Sequence, residues 1–136
     1  MIKLLLILIL TITVHASDNK KASDIFNLLV KEITKKASPN VYLFKGNSSI
    51  ERYPGSLNIV TECNKADLII LSTTRNIPKE CLEKILFGTR YSHLKNPNVV
   101  GAFFWQKGRP NILFYKKRLE KNNLKLDSSF NRYIEN

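Results

Sequence analysis

The sequence predicts a single α/β domain, a mixed β-sheet with helices on both faces that ends in a β-hairpin plus a helix. Residues 66–72 contain four consecutive aliphatic residues, which is typical of a strand buried on both faces. Short apolar runs alternate with segments of helical spacing around this strand. Near the carboxyl end, residues 99–105 and 111–115 flank a glycine-containing turn and predict the hairpin.

The first sixteen residues have the pattern of a secretory signal peptide. Lys3 supplies a positive charge, an apolar run of roughly eleven residues follows, and Ala16 ends a small-residue cleavage site. A membrane-spanning helix needs about twenty apolar residues, so the run predicts export and no stable membrane insertion after cleavage. We therefore expect a periplasmic protein. The predicted divisions are a signal peptide at 1–16, a flexible leader at 17–22 and one domain at 23–136.

The composition predicts a folded, basic protein. Hydrophobic residues make up 43% of the 136 residues, enough for one core without metals or many disulfides. The net charge of +11 favours anionic partners such as phospholipid head groups, acidic proteins or acidic glycans. Nucleic acid is also anionic, but export from the cytoplasm argues against it as a partner. The alternative is that the lysines form a solvated surface that needs no partner.

The first half of the domain predicts one helix and two short strands. Ser23 is the expected N-cap of the helix, because apolar residues recur at helical spacing from Ile25 to Ile33. Pro39 ends it. The elements expected next are a strand at 41–44, a helical turn at 50–53 and a strand at 57–60.

The second half predicts a helix from Pro78 to Phe87 after the central strand. Leu82, Ile85 and Leu86 share helical spacing, and Gly88 would close the helix. The elements expected next are a strand at 90–94, the hairpin strands with a loop at 106–110, a brief helix at 116–123 and a last helix carrying Phe130, Tyr133 and Ile134.

Cys63 and Cys81 become a candidate disulfide once export is accepted. Their spacing fits no metal-binding pattern, and we predict no metal and no cofactor. Cys63 precedes the central strand and Cys81 lies in the helix expected after it. A six-residue strand spans about 20 Å, whereas a disulfide needs Cα atoms about 4.4–6.8 Å apart. The sequence therefore leaves open whether the two cysteines form a bridge or remain thiols.

His93 and Asp67 are the polar residues to consider as catalytic groups. His93 is the only histidine outside the predicted signal, but no serine or cysteine lies in the glycine-flanked strand-to-helix turn of a nucleophile. Asp67 opens the central strand and is interpreted as a hydrogen-bonded carboxylate at the sheet edge. We therefore predict that the protein is not an enzyme.

The loop after the central strand is a candidate ligand site. Ser72, Thr73, Thr74 and Arg75 follow the carboxyl end of that strand, where open α/β sheets bind ligands. Hydroxyl groups, an arginine and the amino end of the next helix would suit a small anion. This gives the alternative function, a small periplasmic solute- or anion-binding protein.

The hairpin is a candidate surface for a protein partner. Trp105, Lys107, Arg109 and Tyr115 surround its tip, and aromatic residues and arginine dominate binding hot spots. The alternative is that the hairpin aromatics are buried in a sheet that is covered on two sides.

The order of segments from Cys63 to Tyr133 also resembles a known family. The segments are Cys63, the strand at 66–71, the glycine-containing strand at 100–104, the turn at 107–110, the strand at 112–114, Arg118-Leu119, and the segment 124–130 that opens the last helix. In this order they resemble the YfiR-like periplasmic regulatory proteins. The resemblance implies a periplasmic α/β protein that regulates a membrane-bound signalling enzyme, typically a diguanylate cyclase, by binding its exported sensor region.

Overall fold

The computed structural model describes the backbone of residues 2–136 and the side chains from residue 18 onward. The predicted signal peptide at 1–16 lies outside the residues whose side chains are described. Among the described residues, no helix combines the length and the apolarity needed to cross a membrane.

A seven-stranded mixed sheet forms the centre of the domain, in the order β2-β1-β3-β4-β5-β6-β7. The strands are β1 (Asn40–Phe44), β2 (Asn58–Val60), β3 (Leu68–Leu71), β4 (Ile85–Gly88), β5 (Val99–Gln106), β6 (Arg109–Tyr115) and β7 (Ile134–Glu135). The first five strands in the spatial order are parallel, whereas β6 is antiparallel to β5 and β7 pairs parallel to β6. This confirms the predicted α/β class and the hairpin.

The helices are α1 (Ile2–Thr34), α2 (Ser48–Arg52), α3 (Lys79–Leu82) and α4 (Lys116–Lys121). Three 3₁₀ segments connect the other elements: Cys63–Lys65, Tyr91–Lys95 and Ser128–Tyr133.

Each face of the sheet is covered by its own apolar core. Strand β3 alternates between them, since Leu68 and Ile70 pack into the core under α1 while Ile69 and Leu71 pack into the other. All four of its residues are fully buried, as the aliphatic run predicts. Phe26 of α1 packs edge-on against Phe103 of β5, with 4.9 Å between ring centroids.

The five parallel strands all end at one edge of the sheet, here called the carboxyl edge, and begin at the opposite amino edge. The connection from β1 to β2 passes over the α1 face, where Ile50 is buried. The connection from β3 to β4 passes over the other face, where Cys81 is buried. The connections that follow the neighbouring strands β1 and β3 therefore lie on opposite faces of the sheet. The gap between the carboxyl ends of these two strands is a topological switch point.

The beginning of the domain differs from the prediction. Helix α1 runs through the predicted flexible leader at 17–22, and Ala22 is buried against the sheet. Ser23 is consequently inside the helix rather than at its N-cap, and its hydroxyl donates to the carbonyl of Tyr53. The apolar face of α1 simply starts earlier than the helical spacing from Ile25 indicates.

Three later elements also differ from the prediction. The helix expected over 78–87 is only the single turn of α3, and the apolar residues after it form β4. The strand expected at 90–94 is a 3₁₀ segment, because its backbone is folded around the buried side chain of His93. The last helix is a 3₁₀ segment followed by β7, which pairs with β6.

The hairpin turn is shorter than the predicted loop at 106–110. Lys107 and Gly108 have φ of 52° and 73°, the two positive values of a type I′ turn, and Gln106 pairs with Arg109. The last residue of β5 that pairs with β4 is Ala102. Residues 103–112 therefore continue roughly 14 Å past the ends of the neighbouring strands, and we call them the projecting ribbon.

Candidate functional site

Both candidate regions lie at the carboxyl edge of the sheet. The loop at 72–75 follows β3, and the projecting ribbon begins where β5 passes the end of β4. Because β3 and β5 are separated only by β4, their axes are about 10 Å apart. The fold thus places next to each other two segments that are distant in the sequence.

The loop after β3 uses its hydroxyl groups to hold itself in place. The Ser72 hydroxyl donates to the carbonyl of Gly46, and Thr73 Oγ1 accepts from the backbone N–H of Arg75 at 3.2 Å. Thr74 is half-buried and the Arg75 side chain is exposed. The helix that follows this loop, α3, is a single turn. The four residues are therefore adjacent, but their donors do not converge on one point as a small-anion site requires.

His93 has a structural role at the same edge. Its side chain is only 5% exposed, and Nδ1 accepts hydrogen bonds from the backbone N–H groups of Thr89 and Arg90 at 3.0 and 3.2 Å. Burial and the nearby Arg90 charge hold the pKa of His93 below its ordinary value. A Cβ on Gly88 would lie 2.8 Å from the His93 Cβ, so this close packing requires glycine at 88. His93 therefore closes the turn after β4.

Thr89 joins the ends of two strands beside His93. Its hydroxyl donates to the carbonyl of Leu71 at 2.7 Å, which ties the end of β4 to the end of β3. The loops after β1, β3 and β4 are thus linked by side-chain hydrogen bonds that keep the carboxyl edge in one shape.

Two aromatic side chains are exposed on opposite sides of the projecting ribbon. Trp105 lies on the α1 side, 45% exposed, with its ring 5.8 Å from that of Phe103. Tyr91 lies on the other side, 61% exposed, with its ring 5.6 Å from that of Phe104. The sequence analysis did not single out Tyr91, since only the fold places residue 91 against β5.

The predicted four-residue partner surface divides between two places. Trp105, Lys107 and Arg109 are all exposed on the projecting ribbon. Tyr115 lies five residues along β6 from Pro110, the partner of Trp105, which is about 17 Å away. It also points to the opposite face, where the Arg118 guanidinium covers its ring at 4.5 Å. Tyr115 is therefore not part of the same surface as Trp105.

Two clefts flank Trp105. One, of about 230 Å³, lies on the α1 side at the switch point between β1 and β3, and we call it the switch-point cleft. Its lining includes Asn47, Ser49, Ser72, Thr89, Phe103 and Trp105. The other, of about 320 Å³, lies on the opposite side of the ribbon. It is lined by Thr89, Arg90, Tyr91, Phe104, Trp105 and Gln106.

The carboxyl edge is rich in exposed positive charge. Five exposed cations follow the ends of β1, β3, β4 and β5, and among the described residues none of them forms an ion pair within 4 Å: Lys45, Arg75, Arg90, Lys107 and Arg109. We call the exposed group Arg90, Tyr91, Trp105, Lys107 and Arg109 the ribbon surface. It combines two aromatic rings with three of these cations.

The amino edge is closed by a disulfide and by the partly exposed carboxylate of Asp67. Cys63 and Cys81 are bridged, with their Cα atoms 5.1 Å apart. Asp67 Oδ1 accepts from Lys36 Nζ at 2.7 Å and Oδ2 from the backbone N–H of Asn40 at 2.8 Å. Partial burial would raise the pKa of Asp67, but these two hydrogen bonds together with the positive charges of Lys36 and Lys84 hold the pKa below its ordinary value.

The disulfide is compatible with an oxidising compartment such as the periplasm. Within the side chains described from residue 18 onward, no group of three or more His, Cys, Asp or Glu residues could hold a metal ion.

No protein-family model matches the chain, and no curated protein sequence matches it. Among solved structures, the fold is similar to a crystal structure described as a conserved domain protein from Vibrio cholerae O1 biovar El Tor str. N16961. The TM-score is 0.54 at 10% sequence identity, over 82% of this chain and 58% of that one. The chain thus spans 58% of the length of that protein, and the likeness concerns the fold alone.

Proposed function

We propose that this protein is an exported periplasmic regulator that acts by binding, and that the ribbon surface contacts the exported region of a membrane-bound signalling protein. The observation that supports this most directly is that two exposed rings, Trp105 on the projecting ribbon and Tyr91 beside it, flank the ribbon on its two sides together with the exposed cations Arg90, Lys107 and Arg109. Tryptophan, tyrosine and arginine are the residues that most often dominate binding energy at protein interfaces.

The charge of the ribbon surface indicates the chemistry of the partner. Arg90, Lys107 and Arg109 form no ion pair within 4 Å among the described residues, so an acidic surface on the partner would supply complementary charge. The net charge of +11 would also accelerate association with such a partner at low ionic strength.

Binding without catalysis is sufficient for regulation. A protein that binds one conformation of a signalling protein more tightly than the other shifts the equilibrium toward the conformation it prefers. In the YfiR-like proteins that the sequence resembles, the regulated protein is typically a diguanylate cyclase, and we propose a partner of the same type here.

Site-specific photocrosslinking tests the proposal. A photoreactive phenylalanine analogue at Tyr91, which is 61% exposed, should crosslink to an inner-membrane signalling protein in the native host. Leu28 on the outer side of α1 is 57% exposed and provides a matched control position. The proposal predicts an adduct from position 91 and none from position 28. Equal adducts from both positions, or none from position 91, would contradict it.

Charge reversal tests the electrostatic part of the proposal. Arg90→Glu combined with Lys107→Glu should reduce the yield of the adduct, and raised ionic strength should reduce the wild-type yield in the same way. Lys125→Glu changes an exposed lysine elsewhere and should leave the yield unchanged. A yield insensitive to both salt and charge would show that the partner surface is not acidic.

A further inference from the structure

From the lining of the switch-point cleft we infer that this cleft binds one pyranose ring of a neutral sugar. The cleft lies between the segments that follow β1 and β3, the position at which open α/β sheets bind ligands. This inference concerns a small-molecule site and does not depend on the proposed protein partner.

The absence of charge in the lining indicates a neutral ligand. None of the nine residues that line the switch-point cleft is charged, although the protein as a whole carries a net charge of +11. Five of them are polar but uncharged, namely Asn47, Ser48, Ser49, Ser72 and Thr89. An anion would be expected where the arginines lie, on the ribbon surface, and not here.

Three hydroxyl groups in the lining are already held in fixed orientations. Ser49 donates to Asn19 Oδ1 at 2.9 Å, Thr89 donates to the carbonyl of Leu71 at 2.7 Å, and Ser72 donates to the carbonyl of Gly46. A hydroxyl that donates to the protein still has lone pairs with which to accept. The cleft therefore offers preoriented acceptors, which suit a ligand that donates through several hydroxyl groups.

Asn47 adds donors to the same wall. Its Oδ1 accepts from the backbone N–H of Ile50 at 3.1 Å, where it caps α2. This hydrogen bond orients the side chain, whose amide NH₂ group has two donors and whose oxygen keeps a second lone pair. A sugar hydroxyl both donates and accepts hydrogen bonds. A lining that contains both acceptors and donors therefore suits a sugar better than it suits a ligand that only donates or only accepts.

The opposite wall is aromatic. Trp105 is half-exposed beside the cleft, and the buried rings of Phe26 and Phe103 lie beneath it. A pyranose has one apolar face of C–H groups and a polar rim, which corresponds to one aromatic wall and one hydroxyl-lined wall. At about 230 Å³ the cleft is smaller than the roughly 300–1,000 Å³ of drug-sized sites, so its size suits a single ring.

The protein contains a single tryptophan, Trp105, which lines both clefts beside the ribbon, so its fluorescence reports ligand binding at either of them. The exported protein should be purified and titrated with glucose and with N-acetylglucosamine, and the melting temperature should be measured in parallel. We expect a saturable change in Trp105 emission and a rise in melting temperature, because a ligand that binds only the folded state stabilises it. Sorbitol, an acyclic polyol, and inorganic phosphate should produce neither effect.

Matched variants locate the site. Thr89→Val removes a lining hydroxyl with little change of shape and should weaken sugar binding about 3- to 10-fold, the effect of one lost hydrogen bond. Thr73→Val makes the same change outside the cleft and should leave the affinity unchanged. Ser49→Ala should also weaken sugar binding, and because Ser49 lines the switch-point cleft alone whereas Thr89 lines both clefts, this variant assigns the sugar to the switch-point cleft.

Three results would overturn the inference. The first is that neither sugar changes the emission or the melting temperature of the folded protein. The second is that phosphate binds and the sugars do not, which would indicate an anion site. The third is that Thr73→Val weakens binding as much as the lining variants do, which would place the sugar elsewhere.

Discussion

The two edges of the sheet differ in what their side chains do. At the amino edge, a disulfide and the partly exposed carboxylate of Asp67 join segments to one another. At the carboxyl edge, the hydroxyls of Ser72 and Thr89 hold the loops, while two aromatic rings and several cations remain exposed. The same parallel strands connect the two edges, so the geometry fixed at one edge positions the groups displayed at the other.

This difference separates the residues that stabilise the fold from those available for binding. Changes at the amino edge should lower stability and leave binding intact in the folded fraction. Changes on the ribbon surface should weaken binding and leave stability intact. The disulfide and Lys107 predictions test this separation, because they measure crosslinking as well as stability; those for Asp67 and His93 measure how much a single group at each edge stabilises the fold.

The largest effect is expected from removal of the disulfide. Cys63→Ala combined with Cys81→Ala opens a bridge between residues 18 positions apart and should lower the free energy of unfolding by about 3 kcal/mol. Urea denaturation at pH 7 measures the change. Crosslinking from position 91 should persist at temperatures where the variant is folded. A loss below about 1 kcal/mol, or a folded variant without the adduct, would contradict the separation of the two edges.

A smaller effect is expected from Asp67→Asn. The substitution weakens the hydrogen bonds to Lys36 and to the backbone of Asn40 and should cost about 1–2 kcal/mol at pH 7. Because the pKa of Asp67 is lower in the folded state, its contribution is present above the ordinary value of 3.8. The contribution is lost as the pH falls through the folded-state pKa.

Urea denaturation between pH 7 and pH 3 tests this dependence. The free energies of unfolding of wild type and Asp67→Asn should approach each other as the pH falls toward 3. Asp127→Asn is a control for a carboxyl group whose pKa is also lowered, by hydrogen bonds from Ser129, but which is fully exposed; it should have the smaller effect. A gap between wild type and Asp67→Asn that stays constant down to pH 3 would show that the charge of Asp67 is not the cause.

His93 gives a test at the carboxyl edge. Burial and the nearby Arg90 charge lower the pKa of His93 in the folded protein, where Nδ1 accepts two backbone hydrogen bonds that require an unprotonated nitrogen. The unfolded chain binds a proton below the ordinary value of 6.5, and the free energy of unfolding should therefore fall as the pH drops from 7.5 to 5.5. We expect a loss of about 1 kcal/mol over this range.

The variant His93→Gln isolates the cause of that pH dependence. Glutamine does not titrate and should be less stable at pH 7.5, with a flat dependence between pH 7.5 and 5.5. Chemical denaturation at both values makes the comparison. If the variant and the wild type change equally with pH, another group is responsible.

The aliphatic run of β3 and the glycine-containing hairpin were sufficient to predict the fold class. β4 was mistaken for part of a helix because Leu82, Ile85 and Leu86 share helical spacing, and a short apolar run does not distinguish a buried strand from a buried helix. Its pairing with β3 and β5 decides the conformation, and that is information from the fold, not from local sequence.

The sequence leaves the disulfide open because the length of β3 separates Cys63 from the end of that strand, and residue spacing does not show where the chain returns. In a parallel sheet the connection after β3 returns the chain to the amino edge, where Cys81 lies just before β4 as Cys63 lies just before β3. The face on which Tyr115 lies depends on the hairpin register, which local sequence also does not determine. A two-residue turn in place of the predicted five-residue loop sets the pairing, and with it the face on which each aromatic residue lies.

The candidate site was predictable in its parts but not as a whole. Ser72 to Arg75 were recognised from their place after the central strand, and Trp105 from its hairpin. Their proximity depends on four strands ending at one edge, and the contribution of Asn47 and Ser49 depends on the switch point between β1 and β3. Neither feature follows from residue spacing.

The smallest change in stability is expected from Lys107→Asn, and its sign should be opposite to that of its effect on binding. Lys107 has a φ of 52° in the type I′ turn, a conformation that costs most side chains energy and that asparagine adopts readily. Asparagine should therefore raise the free energy of unfolding by up to about 0.5 kcal/mol. It also removes a cation from the ribbon surface and should reduce the yield of crosslinking from position 91.

Lys35→Asn provides the matched control for this last test, because Lys35 has a φ of 56° just after α1, at the amino edge. The same substitution relieves the same backbone conformation there. The resulting gain in the free energy of unfolding is offset by loss of an exposed ion pair with Glu32, which is worth a few tenths of a kcal/mol. It should leave crosslinking unchanged. If both variants lower the yield equally, the effect comes from net charge; if only Lys107→Asn does, the carboxyl edge is the binding edge.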